Sequence, residues 1–217
     1  DVYKRQPIKD TGLRRTFPNM MSREGAKGQE FNGFMSSKDN NKPNHTTIIP
    51  FTRLLSSPMD YTPGIFNLVD YRYNSPEDRK INPNHRIPST ISKELALYVV
   101  IYAPVQMAAD LPSNYEGNPA FQFILDVPTD WEETKVLNGE IGEFITIARK
   151  DINSDSWYIG SITNENGRSV EIEMSFLNDN ATYEATIYKD PRNGGWINNP
   201  EQVDICLLYT SPSPRDS

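Results

Sequence analysis

The hydrophobic periodicity of this sequence changes near residue 121, and this change constrains the fold more than any other feature. Before it, the clearest element is Ser89–Asp110, in which apolar residues lie nearly all around a helix. After it, apolar and polar residues alternate, as in Val170–Met174. The predicted strands are Thr134–Leu137, Phe144–Ala148, Trp157–Ile162, Ser169–Met174 and Tyr183–Tyr188. Several short strands at this spacing are typical of an antiparallel β-sandwich, so we predict an α/β part followed by an all-β part.

The long helix predicted before this change is expected to be buried and kinked. Ser89 or Thr90 can cap its N-terminus, and Pro104 removes one backbone donor from its interior. A membrane-spanning helix is the alternative. Lys93 and Glu94 favour a packed helix instead, and no apolar run of the chain reaches about 18 residues.

The two ends of the chain can be encoded by an inverted DNA repeat. Codons for the start of Cys206–Ser217 can be complementary to those for Asp1–Gln6, and both ends resemble the translated transposon adapter used to prepare sequencing libraries. We therefore expect residues 1–6 and 206–217 to be adapter artefacts. The authentic insert would then be Pro7–Ile205, cut without regard to domain boundaries, so its lack of a leader sequence says nothing about localisation.

Charge and motif content exclude several classes of protein. The formal net charge is −7 and the isoelectric point about 4.9, which argues against a nucleic-acid binder. The single cysteine, Cys206, excludes an intramolecular disulfide framework and a cysteine-based zinc cluster. The histidines, His45 and His85, do not form a zinc-binding pair, and no P-loop or nucleophile elbow occurs. His45 is typical of a capping or packing residue, with a sugar contact as the alternative.

Two glutamates in one glycine-containing loop are the candidates for chemistry. Glu24 and Glu30 lie in the loop of residues 23–30, where Gly25 and Gly28 give the backbone freedom to curl. Both carboxylates could then face one cavity, where two acids can serve as general acid and base or bind a hard cation such as Ca²⁺. A solvated surface loop explains the same spacing.

Three tryptophans in the β part have two interpretations. Trp131, Trp157 and Trp196 could be platforms on which sugars stack. Burial in a core or an interface is the alternative, and it is the one we expect.

Several stretches, in order along the chain, resemble glycoside hydrolase family 97. They are Thr11–Asn19 with Arg23–Glu30, His45–Arg53 with Pro58–Gly64, Leu95–Val99 with Pro104–Asp110 and Asp126–Pro128, then Ile145–Arg149 and Trp157–Tyr158. The resemblance covers essentially the whole predicted insert. It implies an N-terminal β-sandwich, a (β/α)8 catalytic barrel and a C-terminal β-sandwich. Residues 7–120 would be the C-terminal part of the barrel, and residues 121–205 the incomplete final sandwich.

The resemblance also implies a function. Members of the family hydrolyse α-glycosidic bonds as α-glucosidases or α-galactosidases, with calcium in the site. By position in the motif, Glu30 matches the proton-donating glutamate and also lies near the metal, while Glu24 matches a glutamate that binds calcium. The expected partner is an oligosaccharide substrate, with no nucleic acid and no membrane span. A role in carbohydrate metabolism and a periplasmic or secreted location are implied by the family.

The stereochemical outcome stays open at this stage. Inverting members carry a glutamate base, also a calcium ligand, at the position of Gln6, whereas retaining members use a carboxylate on an earlier barrel strand as the nucleophile. Pro7–Gly12 looks more like the inverting branch. Specificity for glucose or galactose and the oligomeric state are equally open. The alternative function is a non-catalytic carbohydrate-binding or structural module, which need not keep both Glu24 and Glu30.

Overall fold

The computed structural model describes residues 16–17, 22–29, 41–69 and 87–210. The helices are α1 (His45–Ile48), α2 (Ile91–Val100), α3 (Pro112–Tyr115) and α4 (Phe121–Asp126), with 3-10 turns at Ile49–Phe51 and Arg53–Leu55. The strands are β1 (Trp131–Glu140), β2 (Phe144–Asp151), β3 (Trp157–Thr163), β4 (Tyr183–Lys189) and β5 (Asp204–Thr210). In these ranges, no helix is both long and apolar enough to cross a bilayer.

Helix α2 is the buried helix that the sequence predicts, but it is shorter than the prediction. Thr90 caps it, since its hydroxyl oxygen accepts a hydrogen bond from the Lys93 N–H at 3.1 Å. The helix ends at Val100, and Ile101 is already extended. The prediction of one kinked helix to Asp110 was therefore wrong. Pro104 lies beyond the helix, where proline disfavours a helical conformation in the residue before it.

The carbonyl groups at the end of α2 are satisfied by side chains from elsewhere. The Gln106 amide donates to the Tyr98 carbonyl at 3.2 Å, and the Arg149 Nε donates to the Val99 carbonyl at 2.6 Å. Arg149 comes from β2, so this contact also joins the β part to the helix. A helix end that is buried needs such partners because its last carbonyls have none within the helix.

The β part contains two antiparallel sheets. Strands β1, β2 and β3 form one sheet in that order, and β4 pairs with β5 in the other. Antiparallel sheets agree with the predicted all-β part and are compatible with a β-sandwich. The β1–β2 turn includes Gly142, whose φ of +77° lies in the left-handed region that glycine enters freely.

The strand predictions hold at four of the five positions, and the fifth was wrong. Ser169–Met174 alternates strictly but is not a strand, and residues 121–126 form helix α4 rather than the start of the alternating region. Asn138 and Gly139 lie within β1, where Gly139 pairs with Ile145, although Asn-Gly is a common hairpin-turn sequence. Alternation makes a strand only where a partner strand supplies the ladder of hydrogen bonds.

Strand β5 extends into the tail that the sequence attributes to an adapter. Cys206–Thr210 pairs with β4, with Cys206 opposite Ile187 and Leu208 opposite Ala185. The remainder of that tail and residues 1–6 lie outside the described residues. The domain boundaries drawn from the sequence therefore stay predictions.

Helix α2 lies between two apolar clusters. The first cluster lies towards the three-stranded sheet and consists of Ile49, Met59, Tyr61, Leu97, Val100, Ile101, Ile145, Ile147 and Ile162. The second consists of Ile65, Phe66, Leu68, Ile87, Ile91, Leu95, Tyr115 and Ala120. Gly160 of β3 allows the close approach, since a Cβ there would lie 2.8 Å from the Ala96 carbonyl oxygen. The helix is thus apolar on most sides because it has partners on most sides.

Candidate functional site

The segment of residues 22–29, called loop 22–29 below, leads into Glu30 and is held by side chains from several parts of the chain. Near its end, Gln29 is buried, and its backbone N–H donates to the Thr62 hydroxyl at 3.0 Å. The Asn41 amide donates to the Gly28 carbonyl at 2.9 Å. His45 Nε2 lies 2.8 Å from the Lys27 carbonyl, so His45 packs against this loop. Three segments therefore hold consecutive residues of the loop.

Arg53 holds the beginning of the same loop. Its Nε donates to the Glu24 carbonyl at 2.8 Å, and its Nη2 donates to the Arg23 carbonyl at 2.7 Å. The guanidinium also donates to the Ser57 carbonyl at 3.0 Å. Gly25 has a φ of +72°, and a Cβ there would overlap the Arg53 side chain. Glycine is needed at this position both for its backbone conformation and for the space.

A buried carboxylate on α2 binds the end of the loop. Glu94 has no exposed surface, and its Oε1 accepts from the Gln29 amide at 2.6 Å and from the Ser89 hydroxyl at 2.5 Å. Its Oε2 accepts from the backbone N–H groups of Gly64 at 3.0 Å and Ile65 at 3.4 Å. One side chain therefore joins α2, loop 22–29 and the segment around residues 64–65.

Burial dominates the electrostatics of this cluster. It raises the pKa of Glu94 to about 7, against the opposing effect of the hydrogen bonds from Ser89 and from the two backbone N–H groups. Burial likewise lowers the pKa of the neighbouring Lys93 to about 8. The Lys93 ammonium donates to the Pro43 carbonyl at 2.7 Å and to the Thr163 carbonyl at 2.9 Å, and so fastens the segment before α1 to β3.

Only one of the two predicted site residues falls in the described part of the chain. Glu24 is half-buried, and its carbonyl is bound by Arg53. Glu30, Gln6 and His85 lie outside the described residues. The predicted meeting of the Glu24 and Glu30 carboxylates therefore stays a prediction.

Among the residues that the structure describes, no group of three or more histidine, cysteine, aspartate or glutamate side chains comes together. Ca²⁺ takes six to eight oxygen ligands. Glu24 offers a carboxylate of the type that Ca²⁺ binds, and backbone and amide carbonyl oxygens are further ligands of the kind this ion accepts.

Two of the three tryptophans of the β part pack against protein rings. Trp131 makes an edge contact with Tyr158 at 5.7 Å between ring centroids, and Trp157 lies 4.7 Å from Phe176. Both are partly buried. These contacts agree with the packing interpretation of Trp131 and Trp157.

Glu94 and Arg53 organise the loop, although the sequence pattern does not identify either as a site residue. In the sequence, Glu94 argues only against a membrane helix, and Arg53 belongs to one of the family motifs. A single carboxylate in the first turn of an otherwise apolar helix is a signal, because such a group requires partners once buried. Its partners lie far away in sequence and have no local pattern.

The chain is similar to a protein-family profile and to several known proteins. Residues 130–208 match the family profile described as "Glycosyl-hydrolase 97 C-terminal, oligomerisation". A retaining alpha-galactosidase of Bacteroides thetaiotaomicron is 39% identical over 187 residues, which cover 85% of this chain and 27% of that protein. A probable retaining alpha-galactosidase of Streptomyces bingchenggensis is 33% identical over 150 residues, covering 69% of this chain and 20% of that protein.

A solved structure covers nearly the whole chain. It is a glycoside hydrolase family 97 enzyme from Pseudoalteromonas sp. strain K8 in complex with panose, 46% identical, with a TM-score of 0.83. The match covers 96% of this chain and 31% of that one. The present chain thus spans less than a third of the length of each of these relatives.

Proposed function

The chain belongs to glycoside hydrolase family 97, and we propose that it is part of a calcium-dependent, exo-acting enzyme that hydrolyses α-glucosidic or α-galactosidic bonds. The observation that carries the proposal is the similarity to a family enzyme, 46% identical over 96% of this chain. Family 97 enzymes from Pseudoalteromonas sp. strain K8 have been solved with panose and with acarbose, and the Bacteroides relative is named a retaining alpha-galactosidase. Both substrate classes therefore belong in the test.

Glu30 is the general acid of this proposal. Cleavage of a glycosidic bond leaves an alkoxide, which needs a proton, and a neutral carboxylic acid on the leaving-group side can supply it. What supports the assignment, besides the motif, is the firm anchoring of loop 22–29. Gln29, the residue directly before Glu30, is held through both its backbone and its side chain. A proton donor has to be placed within a fraction of an ångström to be effective.

We also propose that the part of the chain before the β region belongs to a (β/α)8 barrel. Arg23 and Met59 form a parallel β-bridge, and the Asp60 N–H donates to the Arg23 carbonyl at 2.8 Å. Parallel pairing of successive segments is what such a barrel requires, and its active site lies at the carboxyl ends of the strands. Loop 22–29 follows that geometry, since Glu24 and its successors come directly after the bridge.

Calcium binding is a separate part of the proposal and rests on the family resemblance. Glu24 and Glu30 would be two of the ligands, and a bound Ca²⁺ would fix carboxylate orientation and bind sugar or water oxygens. Calorimetric titration of the full-length parent with Ca²⁺ should show binding that weakens in Glu24→Gln. EDTA should lower activity, with recovery on adding Ca²⁺. Full activity in EDTA with no calorimetric signal would exclude the metal.

The test of the catalytic proposal uses the full-length parent protein. It should hydrolyse a nitrophenyl α-glucoside or α-galactoside, and comparison of the two substrates gives the specificity. Glu30→Gln should lower kcat/KM by roughly 10²- to 10⁴-fold, the usual contribution of a general acid. Glu116→Gln is the matched control, because Glu116 is exposed and lies far from loop 22–29 in the sequence. Equal activity of wild type and Glu30→Gln would refute the assignment.

A second proposed function concerns the β part, which we infer mediates contact between copies of the protein. The matching family profile is described as an oligomerisation region. Val136 and Ile141, at the β1 end of the three-stranded sheet, are 63% and 56% exposed and offer apolar surface for such a contact. Light scattering of the parent should show an oligomer that Val136→Asp weakens. A monomer in the wild type would contradict this proposal.

Localisation in the periplasm or outside the cell is likewise proposed from the family. The acidic net charge of −7 is compatible with it. The upstream DNA of the parent gene tests this localisation. An export signal encoded there would support it, whereas a complete reading frame without such a signal would contradict it.

A further inference from the structure

We propose that Glu94 is a positioning residue, which holds the chain leading into Glu30 through its hydrogen bond to Gln29. The inference rests on the proposed function, in which Glu30 is the general acid. It adds a residue on a different element, α2, that acts on the acid through the backbone rather than by touching the substrate.

The two oxygens of Glu94 have separate partners. Oε2 is bound by the backbone N–H groups of Gly64 and Ile65, at 3.0 and 3.4 Å, which fix the orientation of the carboxylate. Oε1 points to the Gln29 amide, at 2.6 Å, and to the Ser89 hydroxyl, at 2.5 Å. The carboxylate is therefore rigidly held on one side and binds the loop with the other. Hydrogen bonds to a carboxylate are among the stronger ones in proteins.

Gln29, the residue directly before Glu30 in the sequence, is held at two points. Its backbone N–H donates to the Thr62 hydroxyl at 3.0 Å, while its side chain donates to Glu94. Gln29 is only 4% exposed. Glu30 is the next residue in the sequence, so it is attached to a residue that has little freedom to move.

Packing alone does not explain a glutamate at this position. A buried carboxylate is costly to desolvate, and an apolar side chain of similar size would stabilise a helix core at least as well. Of the four donors, Gln29 is the one that belongs to loop 22–29. The position of the loop is therefore what the carboxylate determines in addition to the packing of α2.

The test compares two aryl glycosides in the full-length parent. A dinitrophenolate leaves without protonation, whereas a phenolate leaves faster when the acid donates a proton, so a defect in the acid affects the phenyl glycoside selectively. Gln29→Met and Glu94→Gln should each lower kcat/KM for the phenyl glycoside, by up to about 100-fold, and affect the dinitrophenyl glycoside much less. The double variant should lose no more than the worse single variant, since both changes break one contact.

Ser89→Ala is the matched control, because it removes a donor from the same Glu94 oxygen without touching loop 22–29. It should lower the melting temperature and change both substrates equally. If Gln29→Met and Glu94→Gln behave like Ser89→Ala, Glu94 is structural only and the inference is wrong. Melting temperatures identify any variant that fails to fold, and Gln29→Met keeps three of the four donors to Glu94.

Glu30→Gln in the same assay separates this inference from the proposed function. If Glu30→Gln shows the selective loss but the other variants do not, the acid is correct and the positioning role fails. If Glu30→Gln affects both glycosides equally, the assignment of the acid itself fails.

Discussion

Replacing Gly160 by alanine should loosen the contact between the β part and α2. An added Cβ would lie 2.8 Å from both the Ala96 carbonyl oxygen and the Val99 Cβ, and 3.1 Å from Val100. Ordinary contacts to carbon begin at about 3.5 Å, so helix and sheet would have to separate by roughly 0.7 Å. Two of the three contacts involve backbone or a Cβ, which cannot turn aside. Overpacking of this kind costs about 1–3 kcal/mol.

The assay is thermal unfolding of the full-length parent, together with hydrogen exchange of peptides that cover α2 and β3. In a cooperative unit of about 150–250 residues, each kcal/mol lowers Tm by about 2–4 °C. Gly167→Ala is the control, because no heavy atom lies within 4 Å of its added Cβ, and it should change stability by no more than about 0.5 kcal/mol. Equal effects of the two substitutions, or faster exchange confined to other segments, would refute the packing described for α2.

Three further predictions concern the loop, the buried carboxylate and the chain itself. Gly25→Ala should destabilise loop 22–29, because φ is +72° and the added methyl group would overlap the Arg53 side chain. Limited proteolysis should then cleave the loop faster than in the wild type, and unchanged cleavage would contradict this prediction. The pKa of Glu94 rises from 4.5 to about 7 on folding, so its contribution to stability is complete below pH 4.5 and is lost as the pH rises through about 7. The melting temperature of the parent relative to Glu94→Gln should therefore fall between pH 5 and pH 7.5, and a constant difference would be inconsistent with the raised pKa. The 217-residue chain by itself should hydrolyse no glycoside, because it spans less than a third of the length of its relatives, and measurable turnover by the purified chain would overturn that expectation.

The sequence predicts the parts of this fold whose causes are local. Thr90 caps α2 as expected, because capping needs only a hydroxyl before an apolar run. Strands β2 and β3 begin where their alternation begins, at Phe144 and Trp157. The resemblance to glycoside hydrolase family 97, carried by short motifs along the chain, is also confirmed.

Other features depend on distant partners and could not be predicted. Ser169–Met174 has the alternation of a strand, but whether a ladder forms depends on a neighbouring strand that its own pattern does not specify. The end of α2 at Val100 depends on the side chains of Gln106 and Arg149, which bind its last carbonyls. Each of these features depends on tertiary contacts, and a local stretch of sequence does not indicate which residues will make them.

The candidate site likewise combines residues that the sequence identifies with partners that the sequence does not identify. The motif around Glu24 and Glu30 can be recognised from its residues, whereas the groups that hold it cannot. Arg53 and Glu94 meet the loop across separations of 29 to 65 residues. A buried charge in a helix indicates that partners exist without indicating which ones.

The pH dependence of kcat/KM tests the central claim most directly, because a general acid must be protonated to act. In the full-length parent, kcat/KM for a phenyl α-glycoside should fall at high pH as the acid loses its proton. Glu30→Gln should abolish that alkaline limb along with most of the activity, leaving a profile that is flat on that side. An alkaline limb that persists unchanged in Glu30→Gln would show that another group donates the proton and would contradict the account.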